Sequence, residues 1–338
     1  MSRSVTSVDV AQAAGVSQST VSLVVSGKAD GRVSAATQAL VLETAGRLGY
    51  HPNASARVLR NGNAQVLALA VPDVKHPFFG AVLEAAEVAA REHGYAVTLH
   101  DTTSDPAWAQ RMVQMLGSGL LAGCIVYAGE APRSLLALGK TRVLLVEAET
   151  EAQAGVDIDI RQGMHAVVQH LAALGHRRIG YLAADYPKAT FRRRFDNFLA
   201  EMDRAGLSFE TGWRMAATFD LETATDQAAI LLENAHVTAV FCDDDLLAGA
   251  LYRAARRLDI LIPAGLSVVG FDDIDLARML SPELTTVAIP AEEIGRNAVE
   301  ALLRQLDKGR RVRPHVVPLE LKVRGSTARP AGPTRGGS

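Results

Sequence analysis

Two acidic runs are the residues best able to do chemistry on a bound molecule: Asp243, Asp244 and Asp245 in AVFCDDD, and Asp272, Asp273 and Asp275 in GFDDID. Paired carboxylates can hold Mg²⁺ or divide the work of a general acid and a general base. Each run follows a short apolar stretch that reads as a strand. Neighbouring strand residues point to opposite faces, so no more than about half of each run can converge on one site. No His-x-x-x-His, Cys-x-x-Cys, phosphate-binding glycine loop or Gly-x-Ser-x-Gly string accompanies them. The expectation is therefore a binding site rather than an enzyme, with no metal and no cofactor. Cys124 and Cys242 lie far apart in apolar runs and read as reduced core residues.

A second chemical surface lies near the start, in QSTVSLVVSG. On a helix, Gln18, Ser19, Ser22 and Leu23 share one side, while Val21, Val24 and Val25 share the other. Short polar side chains let a helix sink into a major groove and bring hydroxyls close to phosphates. An ordinary solvated face has the same composition, so this helix alone leaves both readings open. Charge adds a weak hint. The first sixty residues hold six Lys or Arg against three acids, a net +3 in a chain whose net charge is −2. A basic head on an acidic body suggests that only the head approaches a polyanion.

These residues need elements to position them. The chain has 338 residues, 48% hydrophobic and 21% charged, the balance of a globular protein with room for two or three domains. No run approaches the roughly 18 apolar residues of a membrane helix, and MSRSVTSVDVAQ has no apolar signal core, so a cytoplasmic protein is expected. The head reads as three short helices packed through Val10 and Ala14, then Val21, Val24 and Val25, then Leu40, Thr44 and Leu48. Gly15 makes the first turn, Ser17 and Ser34 cap the next two helices, and Gly49 with Pro52 ends the third. From Gln65, short β-rich runs alternate with amphipathic helices, which implies an α/β fold of parallel sheets wrapped on both faces. About eleven strands are too many for one sheet of this size, so two doubly wound subdomains in series are expected, with a ligand in the crevice at their strand ends. The tail from 328 to 338, rich in Gly, Pro, Ser and Arg, reads as disordered.

The string VTSVDVAQAAGVSQSTVSLVVSG, followed by VSAATQALVLETAGRLGYHPNASARVL, closely resembles the DNA-binding head of the lactose-repressor (LacI/GalR) family of bacterial transcription regulators. The resemblance continues through HLAALGHRRIGYLA, TAVFCDDDLLAGAL, LSVVGFDDIDLA and SPELTTV, signatures of a core shared in fold with periplasmic sugar-binding proteins. It implies a helix-turn-helix head over 1–50, a hinge helix over 51–63 and an effector-binding and dimerisation core over 64–327. Within that core, the N-subdomain would hold 64–161 and 290–318, and the C-subdomain 162–289 and 319–327. Gln18, Ser19 and Leu23 would face bases, while Ser17, Thr20 and Ser22 would hold phosphates. Many members carry arginine where this chain has Leu23, so a guanine-specific contact should be lost there. In the hinge, Asn53, Ala56, Arg57 and Leu59 would enter the minor groove, with Leu59 as the wedge that kinks the duplex.

In the core, the resemblance implies that Arg194 and Asp272 bind the effector beside Phe78, Phe79 and Phe219, and the same crevice adds Tyr127, Glu147 and Asp244. Arg192 and Arg193 are expected to be solvated. Asp159-Ile160, Asp244-Asp245 and Ile289 depart from the family's usual amides, which leaves fewer directional hydrogen bonds than a hexose requires. The expected partners are pseudo-palindromic operator DNA, a second copy of the chain, and a sugar, nucleoside or related effector, with an apolar or cationic ligand left open. No membrane partner is expected. The most common role of such a protein is repression.

Overall fold

The computed structural model describes residues 5–27, 29–50, 64–127, 133–137, 141–148, 155–309 and 312–330. The hinge candidates Asn53, Ala56, Arg57 and Leu59 lie outside the described residues. The chain divides into two compact units, Met1–Ala64 and Gln65–Ser338.

The first unit is helical, with α1 (Ser7–Ala14), α2 (Gln18–Val25) and α3 (Ala35–Arg47). Thr6 and Asp9 form a reciprocal capping box at the start of α1. Gly15 ends α1 in the left-handed region, at φ 66°, where a side chain would be strained. Ser17 and Ser34 accept backbone N–H groups of Thr20 and Thr37, which fixes where α2 and α3 begin. Val10, Val21, Val24 and Val41 form the buried centre. Leu40, expected in this core, is 47% exposed. The buried stripe of α3 runs through Val41, Thr44 and Ala45, and Leu40 sits one position off it.

The second unit holds two six-stranded sheets. Its first lobe runs β1 (Val66–Val71), α4 (Pro77–Glu92), β2 (Ala96–Asp101), α5 (Trp108–Gly117), β3 (Gly123–Tyr127), α6 (Arg133–Ala137), β4 (Val143–Val146) and β5 (Val156–Ile158). The second lobe runs α7 (Ile160–Leu174), β6 (Ile179–Ala184), α8 (Ala189–Arg204), β7 (Arg214–Ala217), α9 (Leu221–Ala235), β8 (Ala239–Cys242), α10 (Asp245–Arg257), β9 (Ser267–Asp272), α11 (Leu276–Met279) and β10 (Thr285–Ala288). The chain then returns to the first lobe with α12 (Ala291–Lys308) and β11 (His315–Val317), and ends in the second with β12 (Glu320–Lys322).

The sheet orders are β11-β5-β4-β3-β1-β2 and β12-β10-β9-β8-β6-β7. All pairings are parallel except β10 with β12. Strands such as VLALAV and AVFC are apolar on both faces because helices cover both sides, as parallel sheets require. Gly270 is needed for a different reason. A Cβ there would collide with the Asp245 carboxylate, so only glycine lets α10's first residue press against β9.

The expected disorder of the tail over 328–338 fails where the structure describes it. The Ala328 carbonyl accepts from His176 Nε2 at 2.9 Å, and its N–H donates to Ser267 Oγ at 3.0 Å. Composition marked this stretch as weakly packing. The buried His176 ring, which also bonds Thr238 Oγ1, instead ties its backbone to the second lobe.

Candidate functional site

In the head, Gln18 and Ser19 are exposed, and Thr20, Ser22 and Leu23 are half-buried on α2. Ser17 Oγ pairs with Ser19 Oγ at 2.7 Å and with Thr20 Oγ1 at 2.8 Å, while Gln18 Nε2 donates to Ser7 Oγ at 3.0 Å. The hydroxyls are therefore grouped at the N-terminal end of α2, where its free N–H groups and dipole favour an anion such as phosphate.

In the core, each sheet reverses its strand order beside its first strand, at β1 in the first lobe and β6 in the second. Open α/β sheets bind ligands at such switch points, beyond the carboxyl ends of the strands. The loop after β1 carries His76 and leads into Phe78 and Phe79. Tyr127 ends β3, and Glu147 follows β4. Across the crevice, the segment after β6 carries Tyr186, Thr190 and Arg194, with Phe219 after β7, Asp244 after β8 and Asp272 ending β9. A cavity of about 290 Å³ lies between these ends, and all eight candidates line it: Phe78, Phe79, Tyr127, Glu147, Arg194, Phe219, Asp244 and Asp272.

Glu147, Asp244 and the terminal nitrogen of Arg194 have defined partners. Glu147 accepts from Tyr127 on its own lobe and from Thr190 Oγ1 across the cleft at 2.7 Å. Arg194 stacks 3.7 Å over the Phe271 ring and donates to the Asp243 carbonyl, while its Nε has no hydrogen-bond partner. Asp244 caps α10 through the Leu246 N–H at 2.7 Å and meets His76 Nε2 from the other lobe at 2.9 Å. Of the run 243–245, only Asp244 lines the cavity. Asp243 turns to Tyr181 and the Ala184 N–H, and Asp245 to Thr286 and the Ile274 N–H. Arg193, expected in solvent, instead forms a two-pronged pair with the fully buried Asp157 across the lobes, at 2.9 and 3.1 Å. On α8, the face beside Arg194 meets the edge of the first lobe, which helix periodicity alone does not reveal.

Glu147 (φ 49°) and Asp272 (φ 113°) both occupy left-handed backbone. Such strain persists only where the surroundings hold it, and it concentrates at functional sites. Burial pushes Asp272 well above the usual carboxylate range, and the charge of Asp244 adds to this, with Arg194 offsetting only part. Asp244 stays below that range in spite of burial, because His76 holds its charge. Burial alone would lower His76, but Asp244 beside it raises it above an ordinary histidine. Burial raises Asp243 to about 6 and Asp245 to about 8.

His76, Asp244 and Asp272 bring three possible metal-ligand atoms within 4.8 Å of one another. The outer nitrogen of this histidine, Nδ1, accepts the Phe78 N–H at 3.3 Å. That leaves the proton on Nε2, aimed at Asp244, whereas a metal-bound histidine donates from its outer nitrogen. The set is built for hydrogen bonding across the cleft rather than for a metal.

Residues 7–53 match the model of bacterial regulatory proteins of the lacI family, and residues 168–327 match a periplasmic binding protein-like domain. The HTH-type transcriptional regulator DegA of Bacillus subtilis is 32% identical over 330 residues, covering 95% of this chain and 97% of that protein. The chain belongs to the lacI family. The HTH-type transcriptional repressor PurR of Photobacterium profundum is 30% identical, covering 94% of this lacI-family chain and 97% of the relative. In fold, the chain resembles a Lac repressor dimer solved with operator and the anti-inducer ONPF, at a TM-score of 0.84 and 24% identity, covering 96% of this chain and 100% of the other. This lacI-family protein is a DNA-binding transcriptional regulator. Among its described residues, no helix is long and apolar enough to cross a membrane.

Residue reasoning missed His76, Thr190 and Tyr186 in the cavity wall. His76 carried a signal, since a histidine directly before Pro-Phe-Phe, in the loop that follows β1, stands at the N-terminus of α4. What it faces comes from the other lobe, 168 positions away in the chain.

Proposed function

We propose that this regulator binds a pseudo-palindromic operator as a homodimer, and that a small molecule held between the two core lobes controls its affinity for that operator. Repression is the role we assign, in keeping with a PurR repressor among the relatives. The observation that carries the proposal is a cavity lined by eight candidates, four from each lobe, with Glu147–Thr190 and Asp244–His76 contacts running across it. A ligand there changes what holds the lobes together, and that change is the differential contact that allosteric control requires. Asp243, Asp244, Asp245 and Asp273 cap a helix or accept fixed donors, which supports binding without turnover. The protein works in the cytoplasm, where its DNA is. Ser17, Gln18, Ser19, Thr20, Ser22 and Leu23 contact the operator major groove, and Asn53, Ala56, Arg57 and Leu59 its minor groove, with 1–50 as head and 51–63 as hinge.

Selection of duplexes from a random pool by the full-length protein tests this. The enriched site should be an inverted repeat bound by two chains, as a two-fold dimer demands. Enrichment of an asymmetric site bound by one chain would refute the dimeric reading.

A further inference from the structure

Asp243, Asp244, Asp245 and Asp272 are all buried at the ends of β8 and β9, and Glu147 is buried opposite them. Among the described residues, Arg194 is the one buried arginine or lysine. It answers to Asp272, Asp243 and Glu147 at once, while its guanidinium is stacked on Phe271. Asp243 and Asp245 are satisfied by neutral donors of their own lobe. Of the four aspartates, Asp244 and Asp272 face the cavity.

Beside this pair stands a ring from the other lobe. His76 Nε2 lies 2.9 Å from Asp244 Oδ2 and 3.9 Å from Asp272 Oδ2. Its ring meets those of Phe79 and Phe219 edge-on, with centroids 5.8 and 6.1 Å away. One imidazole N–H reaches Asp244, Asp272 lies beyond that N–H's hydrogen-bond reach, and the two acids share a side-chain hydrogen bond with each other. A cation with several N–H donors would bridge both acids, taking the place of the imidazole and of the proton they share.

We propose that Asp244 and Asp272 form a subsite for a positively charged nitrogen group of the effector, an ammonium or amidinium, and that His76 fills this subsite while no effector is bound. The inference rests on the effector reading above and narrows its chemistry. An entering cation displaces the imidazole, so recognising the ligand and releasing one tie between the lobes become a single event.

Calorimetric titration of the full-length protein near pH 6, where imidazole is largely protonated, with imidazole and with pyrrole tests it. Imidazole should bind His76→Ala about tenfold tighter than it binds the wild type, whose own ring holds the place. Pyrrole, the same size without the charge, should show no such gain, and the gain should vanish in His76→Ala/Asp244→Asn. His76→Asn, whose amide can still cap α4, should prefer imidazole over pyrrole in the same way, and circular dichroism establishes that each variant is folded. Equal imidazole binding to wild type and both single variants, or pyrrole matching imidazole, overturns the subsite. So does an uncharged compound that shifts operator affinity while imidazole binds no variant, and in that case the effector reading survives. If no compound of any kind shifts operator affinity, that reading itself fails.

Discussion

Leu23 is half-buried on α2, on the side away from the valine core and one turn beyond the exposed Ser19. On the proposed operator-facing side, its branched end would reach only an apolar feature of a base pair, of which the thymine methyl is the one the major groove offers. Arginine at the same position would present a fork that pairs with both guanine acceptors. Leu23→Arg should therefore change base preference at one position in each half-site, by about 1–3 kcal/mol at that pair, when enriched duplexes are sequenced for both proteins. An unchanged preference would place Leu23 outside the base-reading set. The placement of this residue on its helix could be read early because its surroundings are local, set by a helix of eight residues and a serine cap. Arg193 could not, because its partner Asp157 lies in another sheet and is brought to it only when the lobes meet.

The junctions between strands and helices carry most of the site, and they were the hardest elements to read in advance. Periodicity places β8, α10 and β9, yet it says nothing about the left-handed turn at Asp272 or about how Gly270 admits the Asp245 carboxylate. These junctions make stability depend on pH. Asp243 and Asp245, raised by burial to about 6 and about 8, keep protons in the folded chain that they lose in the unfolded one. Their contribution is complete below about pH 4, the ordinary carboxylate value, and is lost as pH climbs through those two raised values. His76, raised by Asp244, acts in the same direction, with its contribution present below about 6.5 and lost above its raised value. The melting temperature should fall from mildly acid to alkaline conditions, and Asp245→Asn should flatten the upper part of that fall. A melting temperature that rises over the same range in a calorimetric scan would contradict this account of the junctions.

Over the whole molecule, the two-lobed α/β core follows from alternation of strands and helices, but the ties that close it do not. His76–Asp244, Thr190–Glu147, Arg193–Asp157 and Tyr186–Thr103 each join residues of different lobes. Three of these ties line the cavity, so a ligand that displaces any of them would alter the balance between closed and opened lobes. Couplings of this kind are typically about 1–3 kcal/mol, or roughly five- to 150-fold in affinity. Small molecules can be screened for any that changes affinity for the selected operator in fluorescence anisotropy. The decisive quantity is the ratio of operator affinities with and without that compound, measured for the wild type and for Asp272→Asn. The ratio should lie within that range for the wild type and fall close to one for Asp272→Asn at the same compound concentration. A ratio that survives intact in Asp272→Asn would mean that the controlling ligand binds somewhere other than this cavity.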